Sequence, residues 1–203
     1  RRLPAKARGM IRLLTFTNLY PSDERPRHGI FVAERLRRLV DTGRVRASVV
    51  VPVAGARQTV VAERDGLPVT YVGFPAIRAI TSWVNPLLMA HCARAAVAEH
   101  VRRLGGFDVL DAHYFYPDGV AGVRLARQFG KPAVVTARGS DINAAARELV
   151  AGAWIRWAAR RCAAMVAVSE ALRDAMIARG LPANAITVLR NGELVGEFLK
   201  ADL

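Results

Sequence analysis

The 203-residue sequence has no run of about 18 or more uncharged apolar residues, so we expect no membrane-spanning helix. Even its most apolar stretch, residues 77–101, is interrupted by charged residues and proline. Residues 1–9 are basic and lack the apolar centre of a secretory signal. We therefore expect a cytoplasmic protein in which residues 1–9 are a basic tail, disordered or foreign to the natural protein.

Cysteine is also scarce. Cys92 and Cys162 are the only two, and both lie in predicted helices among apolar neighbours. They are too few for a disulfide framework, and we expect them to be buried, reduced thiols. The four histidines, at positions 28, 91, 100 and 113, never stand at zinc-ligand spacings from cysteine or glutamate, so we predict no metal site.

Three common signatures of ligand-binding or catalytic proteins are missing. No G-x-G-x-x-G follows the first predicted strand, and no G-x-x-x-x-G-K-[ST] occurs anywhere in the chain. Nor is there a G-x-S-x-G nucleophile elbow. Dinucleotide cofactors, P-loop nucleotide binding and serine hydrolysis therefore lose their main support in the sequence.

Acidic residues are few beside basic ones: 17 against 30, of which 27 are arginine, giving a formal net charge of +13. One interpretation is an acidic partner, such as nucleic acid, a phosphorylated substrate or an anionic membrane. The other is a compositional bias toward arginine, with many of these side chains on solvated helix faces. Clustered aromatics, which an RNA-binding module would interleave with its charge, are confined to residues 114–116, so we consider nucleic acid an unlikely partner.

What the chain does contain is a regular alternation of strands and helices. Apolar strands are predicted at 11–16, 47–53, 69–72, 109–112, 133–137, 163–168 and 185–189, with a loop or short hairpin at 54–67. Helices are predicted at 30–42, 83–104, 117–129, 144–162 and after Ser169, and a glycine ends most of them. This pattern predicts an α/β fold over residues 10–192: a doubly wound, mainly parallel Rossmann-like sheet with helices on both faces.

Polar clusters follow two neighbouring predicted strands, at residues 113–118 and 138–143. Parallel strands joined by helical crossovers place their carboxyl ends on one edge of the sheet, where ligands of such folds bind. We therefore expect the two clusters to meet at one site.

Six motifs carry a resemblance to a known family. They are TNLYP (17–21), HGIFV (28–32), DVLDAH (108–113), TARGSD (136–141), VS (168–169) and NG (191–192) with Phe198. In order and spacing they resemble the amino-terminal half of a family 4 glycosyltransferase, and the resemblance covers residues 10–198. It implies a GT-B architecture, in which one Rossmann-like domain binds the acceptor and a second binds the nucleotide-sugar donor.

The resemblance further implies transfer with retention of anomeric configuration and without a metal. Nucleotide-sugar is then a substrate, and no cofactor is expected. The chain stops where the second domain should begin, and the acidic E-x7-E donor signature is absent with it. We therefore expect residues 193–203 to be the start of an interdomain linker or an aberrant end, and the chain alone to be inactive.

Two positions depart from the family pattern. Arg138 stands where many relatives have histidine; a guanidinium suits phosphate or carboxylate recognition and cannot act as a base. Glu193 and Leu194 replace the usual Val-Asp, although Phe198 keeps its spacing.

We predict His113 and Arg138 as catalytic residues. His113 could accept a proton from an acceptor hydroxyl, or it could be a strand-end histidine satisfied by the backbone. The predicted acceptor- or phosphate-binding residues are Asn18, His28, Gly29, Gly139, Ser140, Asp141 and Asn191. Alternatives stay open for several of them: helix capping for Ser140 and Asp141, a solvated loop for His28, and a turn at Asn191.

Arg156, Arg160 and Arg161 stand beside Trp154 and Trp157 in one predicted helix. Arginine and tryptophan together suit lipid headgroups, and relatives that glycosylate lipid-linked acceptors bind membranes in this way. The hypothesis is peripheral attachment to an anionic membrane surface, at its inner face. The alternative is that the tryptophans belong to the core.

The sequence thus predicts the acceptor-binding half of a retaining, nucleotide-sugar-dependent glycosyltransferase in polysaccharide, glycolipid or glycoconjugate synthesis. Its partners would be a sugar or lipid-linked acceptor and, through the missing carboxyl-terminal domain, the donor. The alternative is a non-catalytic Rossmann-like binding or scaffold module. A weaker third hypothesis is a nucleic-acid binder driven by charge, with steep salt dependence.

Overall fold

The computed structural model describes residues 10–77, 82–143 and 149–190. These residues contain eight strands, which form one sheet in the order β3-β4-β2-β1-β5-β6-β7-β8. The strands are β1 Ile11–Phe16, β2 Val45–Ala54, β3 Thr59–Arg64, β4 Leu67–Phe74, β5 Val109–His113, β6 Ala133–Ala137, β7 Ala164–Ala167 and β8 Ile186–Val188. Only β3 and β4 pair antiparallel within the described part of the sheet, and the predicted, mainly parallel α/β fold is confirmed.

Helices connect the parallel strands. Those of the described segments are α1 Ile30–Asp41, α2 Asn85–Leu104, α3 Val120–Gln128, α4 Ser140–Asn143, α5 Leu149–Ala159 and α6 Glu170–Ala178. Ser169 caps α6 as predicted: its side chain accepts a hydrogen bond of 3.1 Å from the amide of Leu172.

Apolar side chains alternate between the two faces of the sheet, as the pleat of a strand requires. Leu14 and Phe16 of β1 belong to the larger core, which is shared with α2, α3, α5 and α6. Leu13, which precedes Leu14, points to the opposite face and packs against the second core, where α1 covers β2 through Val32 and Leu36. Helices therefore lie on both faces, as the sequence predicted.

Some element bounds differ from those predicted. The third predicted helix starts at Val120 rather than Pro117, because Tyr116 is extended (φ −133°, ψ 126°) and residues 115–119 form a separate turn. Residues 54–67 contain a true strand, β3, that forms a hairpin with β4. Cys92 and Cys162, predicted as buried, reduced thiols, are free cysteines that pack against the larger core but are only partly buried.

The sheet places several polar residues at the carboxyl ends of its central strands. Thr17 follows β1, His113 ends β5, and Arg138 follows β6. Thr17 ties two of these ends together, because its Oγ1 donates to the carbonyl of His113 at 3.3 Å and accepts from the amide of Leu19 at 3.0 Å. This edge therefore carries His113 and Arg138, the two predicted catalytic residues. Asn191 and residues 1–9 and 193–203 fall outside the described residues.

Candidate functional site

His113 and Arg138 are in direct contact at this edge. Nη2 of Arg138 lies 2.7 Å from Nδ1 of His113, and Nε2 of His113 lies 3.0 Å from Oδ2 of Asp111. A guanidinium only donates hydrogen bonds, so Nδ1 must be the accepting nitrogen and Nε2 must carry the proton that it donates to Asp111. The imidazole of His113 is therefore neutral, with both nitrogens engaged.

Burial explains the charge states of this triad. His113 is 1% exposed, and its burial lowers its pKa despite the neighbouring Asp111 carboxylate. Burial pushes the pKa of Asp111 upward, but His113, Arg35 and Arg138 together outweigh it and bring the pKa to about 2. Burial, helped by the nearby charge of Arg35, lowers the pKa of Arg138 to about 10. At neutral pH the cluster thus holds an ionised aspartate, a neutral histidine and a charged arginine.

Helix α1 supplies two more residues to this cluster. Phe31 and Arg35 are four residues apart, so they lie on the same face of the helix. The guanidinium carbon of Arg138 stands 4.6 Å from the centroid of the Phe31 ring, in cation–π geometry. Nη1 of Arg35 lies 3.4 Å from Oγ1 of Thr136, the residue of β6 that pairs with His113 of β5. Arg138, predicted as a catalytic residue, thus contacts Phe31 of α1 as well as His113 of β5.

Asp141 organises the loop that follows β6. Its Oδ1 accepts hydrogen bonds from the amides of Arg138 at 3.0 Å and Gly139 at 2.8 Å, and its Oδ2 accepts from the amide of Phe115 at 2.6 Å. The side chain is fully buried. Its hydrogen bonds run to residues before it, so within the described residues Asp141 fixes the Arg138–Gly139 turn rather than capping the helix that follows.

Gly139 and Ser140 form the exposed rim of this loop. Gly139 has φ +119°, and a Cβ built there would meet nothing within 4 Å, so a ligand could approach the backbone closely. Oγ of Ser140 lies 2.7 Å from the hydroxyl of Tyr114, which links the two loops across the edge. Tyr114 itself has a positive φ of 78°, an uncommon conformation for a residue with a side chain.

The loop after β1 brings Asn18 and Gly29 to the same edge. The amide of Asn18 donates to Oδ1 of Asp118 at 2.5 Å. Gly29 immediately precedes α1 and has φ +66°, and a Cβ there would stand 2.2 Å from the carbonyl carbon and oxygen of Leu19. Only glycine fits such a position. The described hydrogen bonds do not connect His28 to the other predicted site residues; its amide donates to Arg25.

Asp118 is a fully buried carboxyl group beside this loop. Burial is the main cause that raises its pKa, to about 8, and the Asp141 charge adds to the rise. Its Oδ2 has no hydrogen-bond partner among the residues that the structure describes. Asp118 is thus protonated at neutral pH.

Asp111, Arg35 and Phe31 belong to the site but were not predicted from the sequence, and Asp118 was predicted only as part of the 113–118 cluster. Asp111 and His113 are two residues apart on a strand, so they share one face, and that spacing was a usable signal. Nothing local marks Arg35 or Phe31, which reach the cluster from about 100 residues away in sequence.

Among the described residues, no group of three or more histidine, cysteine, aspartate or glutamate side chains is placed to hold a metal ion. Over those same residues, every helix is too short or too polar to cross a bilayer.

Several solved structures share this fold. HepE (Alr3699) from Anabaena, in complex with UDP-glucose, superposes with a TM-score of 0.60 at 16% identity, over 91% of this chain and 44% of HepE. A sucrose-phosphate synthase fragment from Thermosynechococcus elongatus gives 0.58 at 14% identity, over 95% of this chain and 96% of the fragment. UDP-N-acetylglucosamine 2-epimerase from Rickettsia bellii gives 0.56 at 12% identity, over 95% and 48%. The chain thus spans about half the length of HepE and the epimerase.

Sequence comparison identifies the family to which the chain belongs. No curated protein matches significantly. The model of Glycosyltransferase Family 4 matches residues 52–192, which is more than half of the chain. That range includes the strand ends that carry His113 and Arg138, and the sheet matches the Rossmann-like domains of GT-B proteins. The chain therefore belongs to glycosyltransferase family 4.

Proposed function

We propose that this domain is the acceptor-binding half of a retaining nucleotide-sugar glycosyltransferase, acting in polysaccharide, glycolipid or glycoconjugate synthesis. The supporting observation is the convergence of Arg138, His113, Gly139 and Gly29 at the carboxyl edge of one sheet. A second Rossmann-like domain would supply the donor site, in line with the 44% of HepE that this chain spans. The domain by itself would not catalyse transfer.

Arg138 is the residue best suited to the charge that develops during transfer. When the bond between the sugar and the nucleotide diphosphate breaks, negative charge accumulates on the departing phosphate. A charged guanidinium, oriented by Phe31 and His113, can stabilise that charge or a phosphate on the acceptor. The open backbone at Gly139 allows the ligand to come close to it.

His113 then acts as a positioning residue in the observed arrangement. Its Nδ1 accepts a hydrogen bond from Arg138 and its Nε2 donates to Asp111, so neither nitrogen is available to an acceptor hydroxyl. A role as general base requires Arg138 to leave Nδ1 first, for example when the guanidinium turns toward a bound phosphate.

An anionic membrane surface is the proposed partner of helix α5 for lipid-linked acceptors. Trp154 and Trp157 pack edge to face at 5.5 Å and only partly against the core, while Leu149 is 90% exposed. Flotation with anionic and neutral vesicles tests this: we expect binding to the anionic vesicles alone, lost in salt. Equal binding to both vesicle types, or to neither, contradicts an electrostatic contribution.

The occupied nitrogens of His113 favour a second candidate, a non-catalytic Rossmann-like binding or scaffold module. A transfer assay on this chain with UDP- and GDP-sugars and a panel of saccharide acceptors is expected to show no turnover. Turnover by the chain alone would contradict the half-enzyme proposal.

The same panel can be titrated while the amide resonances of residues 113–115 and 138–141 are followed by NMR. Acceptors that shift these resonances in the wild type but not in Arg138→Gln support the acceptor-side role. Charge-matched Arg38→Gln, on the exposed surface of α1, is the control and should behave as the wild type. If neither acceptors nor donors shift the resonances, the scaffold candidate is favoured.

A further inference from the structure

A cavity of about 530 Å³ lies beside α1, away from the His113–Arg138 cluster. Its walls come from the loop after β1, from α1, and from the turn between β3 and β4. The side chains of α1 divide between the two places: Phe31 and Arg35 contact the cluster, whereas Ile30, Glu34 and Arg37, at spacings of four and three, line the cavity. Its volume falls within the roughly 300–1,000 Å³ of small-molecule sites.

Two residues that line the cavity each carry a buried polar atom without a hydrogen-bond partner among the described residues. The hydroxyl of Tyr20, a residue that is 2% exposed, forms no hydrogen bond within the described residues, and neither does Nε of Arg64. Burial, with a contribution from the Asp65 carboxylate, raises the pKa of Tyr20 to about 12, so the hydroxyl keeps its proton and can donate. Buried polar groups in folded proteins are nearly always paired, so these two point to a ligand or water that completes them.

The charges around the cavity decide between classes of ligand. Glu34, Glu63 and Asp65 supply three carboxylates, against the guanidinium groups of Arg37 and Arg64. Arg64 is already paired with Asp23. In a chain with 30 basic and 17 acidic residues, this is an unusual concentration of negative charge, and it disfavours a phosphate. Hydroxyl groups suit it, because they donate to carboxylates and accept from guanidinium and tyrosine.

We propose that this cavity binds a neutral, hydroxyl-rich unit, namely a sugar residue of the acceptor that lies away from the reacting hydroxyl. This inference rests on the proposed function, because it takes the acceptor to be a saccharide or to carry one. Pro21, Pro26 and Ala33 add apolar surface for the carbon faces of a sugar ring. An acceptor that crosses the start of α1 would occupy the cavity and the strand-end site together.

NMR titration of the chain with neutral trisaccharides tests the proposal: cellotriose, maltotriose and mannotriose. We expect at least one to shift the amide resonances of residues 20–34 and 63–65. Glucose 1-phosphate and spermidine serve as the anionic and cationic probes. Larger shifts in these segments with either charged probe than with every trisaccharide, or no shift there with any trisaccharide, would overturn the proposal.

Two variants connect the shifts to the cavity. Tyr20→Phe keeps the ring and removes a hydroxyl that has no hydrogen-bond partner in the described part of the chain. We therefore expect unchanged unfolding by urea and about fivefold weaker binding of the trisaccharide. Glu34→Gln, on the exposed side of α1, should also weaken binding. Glu170→Gln, on α6, removes the same charge elsewhere and is the matched control. Affinity that is unchanged in both cavity variants would refute the assignment.

The same titration separates this inference from the proposed function. Shifts confined to residues 113–115 and 138–141 leave the acceptor-side proposal standing and overturn the cavity site. Shifts confined to the cavity support a sugar-binding site there and remove support from the strand-end site.

Discussion

Replacement of Asp118 by asparagine should stabilise the domain, and by more as the pH rises. The carboxyl group is fully buried, and its pKa rises from 3.8 to about 8 on folding, chiefly because burial disfavours the ionised form. Between those two values the unfolded chain is ionised at Asp118 while the folded chain binds a proton. The contribution of this group to stability is therefore fully present below pH 4 and is lost as the pH rises toward 8.

The size of the effect follows from the shift. Between the two pKa values, each pH unit lowers the free energy of unfolding of the wild type by about 1.4 kcal/mol. Relative to pH values below 4, the wild type therefore loses roughly 2 kcal/mol by pH 5 and up to about 4 kcal/mol by pH 7. Asparagine can still accept the hydrogen bond from the amide of Asn18 through its carbonyl oxygen. Its amino group replaces Oδ2, which already lacks a partner among the described residues; the amide has one donor more than the protonated carboxyl, and the cost of that donor does not change with pH.

Urea unfolding of the wild type and Asp118→Asn between pH 5 and pH 8 measures the difference. We expect the variant to gain stability relative to the wild type across this range, with the gap widening until about pH 8. Asp174→Asn, on the exposed face of α6, is the matched control and should leave the pH profile unchanged. A gap that does not vary with pH, or a variant less stable than the wild type at pH 8, would refute the reasoning.

Three further substitutions test other parts of the structure. Gly29→Ala should lower the free energy of unfolding in urea by several kcal/mol, because a Cβ there meets loop backbone at 2.2 Å. Gly43→Ala is the control, since Gly43 has a similar φ of +68° but open space around it, and it should cost only about 1 kcal/mol. Equal losses of stability in the two variants would contradict the close approach at Gly29. Arg138→Gln should raise the pKa of His113 in an NMR titration, since the arginine charge lowers it; a fall would contradict this. Ser169→Ala should cost about 1 kcal/mol by loss of the cap of α6, and an unchanged unfolding midpoint would argue against that cap.

Local sequence patterns were sufficient to predict most of the sheet. The strand at Ala133–Ala137 has the predicted bounds because a short apolar run, a preceding Gly-Lys-Pro and a following polar cluster all mark the same limits. Strand β3 was harder to identify: Val60 and Val61 are 52% and 66% exposed, so its pattern carries no buried face, and its pairing with β4 places it in the sheet.

Some contacts of the candidate site could be predicted from the sequence, and others depend on how distant segments pack together. The meeting of His113 and Arg138 follows from topology, since both stand at the ends of adjacent parallel strands. The contact of Arg138 with Phe31 depends on how α1 packs over the sheet, and no spacing in the sequence encodes that. The raised pKa of Asp118 likewise depends on burial by distant segments, which a turn sequence of Pro-Asp-Gly does not reveal.

The contact between Arg138 and His113 also changes how the departure from the family pattern should be understood. With histidine at position 138, two imidazoles would face each other and neither would carry a fixed charge. With arginine there, a permanent charge sits against Nδ1 of His113 and helps to keep the imidazole neutral, while the neutral imidazole in turn orients the guanidinium. Asp111 completes the arrangement by fixing the proton on Nε2. The two residues are thus coupled in the structure: under the proposed function, a phosphate that draws Arg138 away would also release Nδ1 of His113.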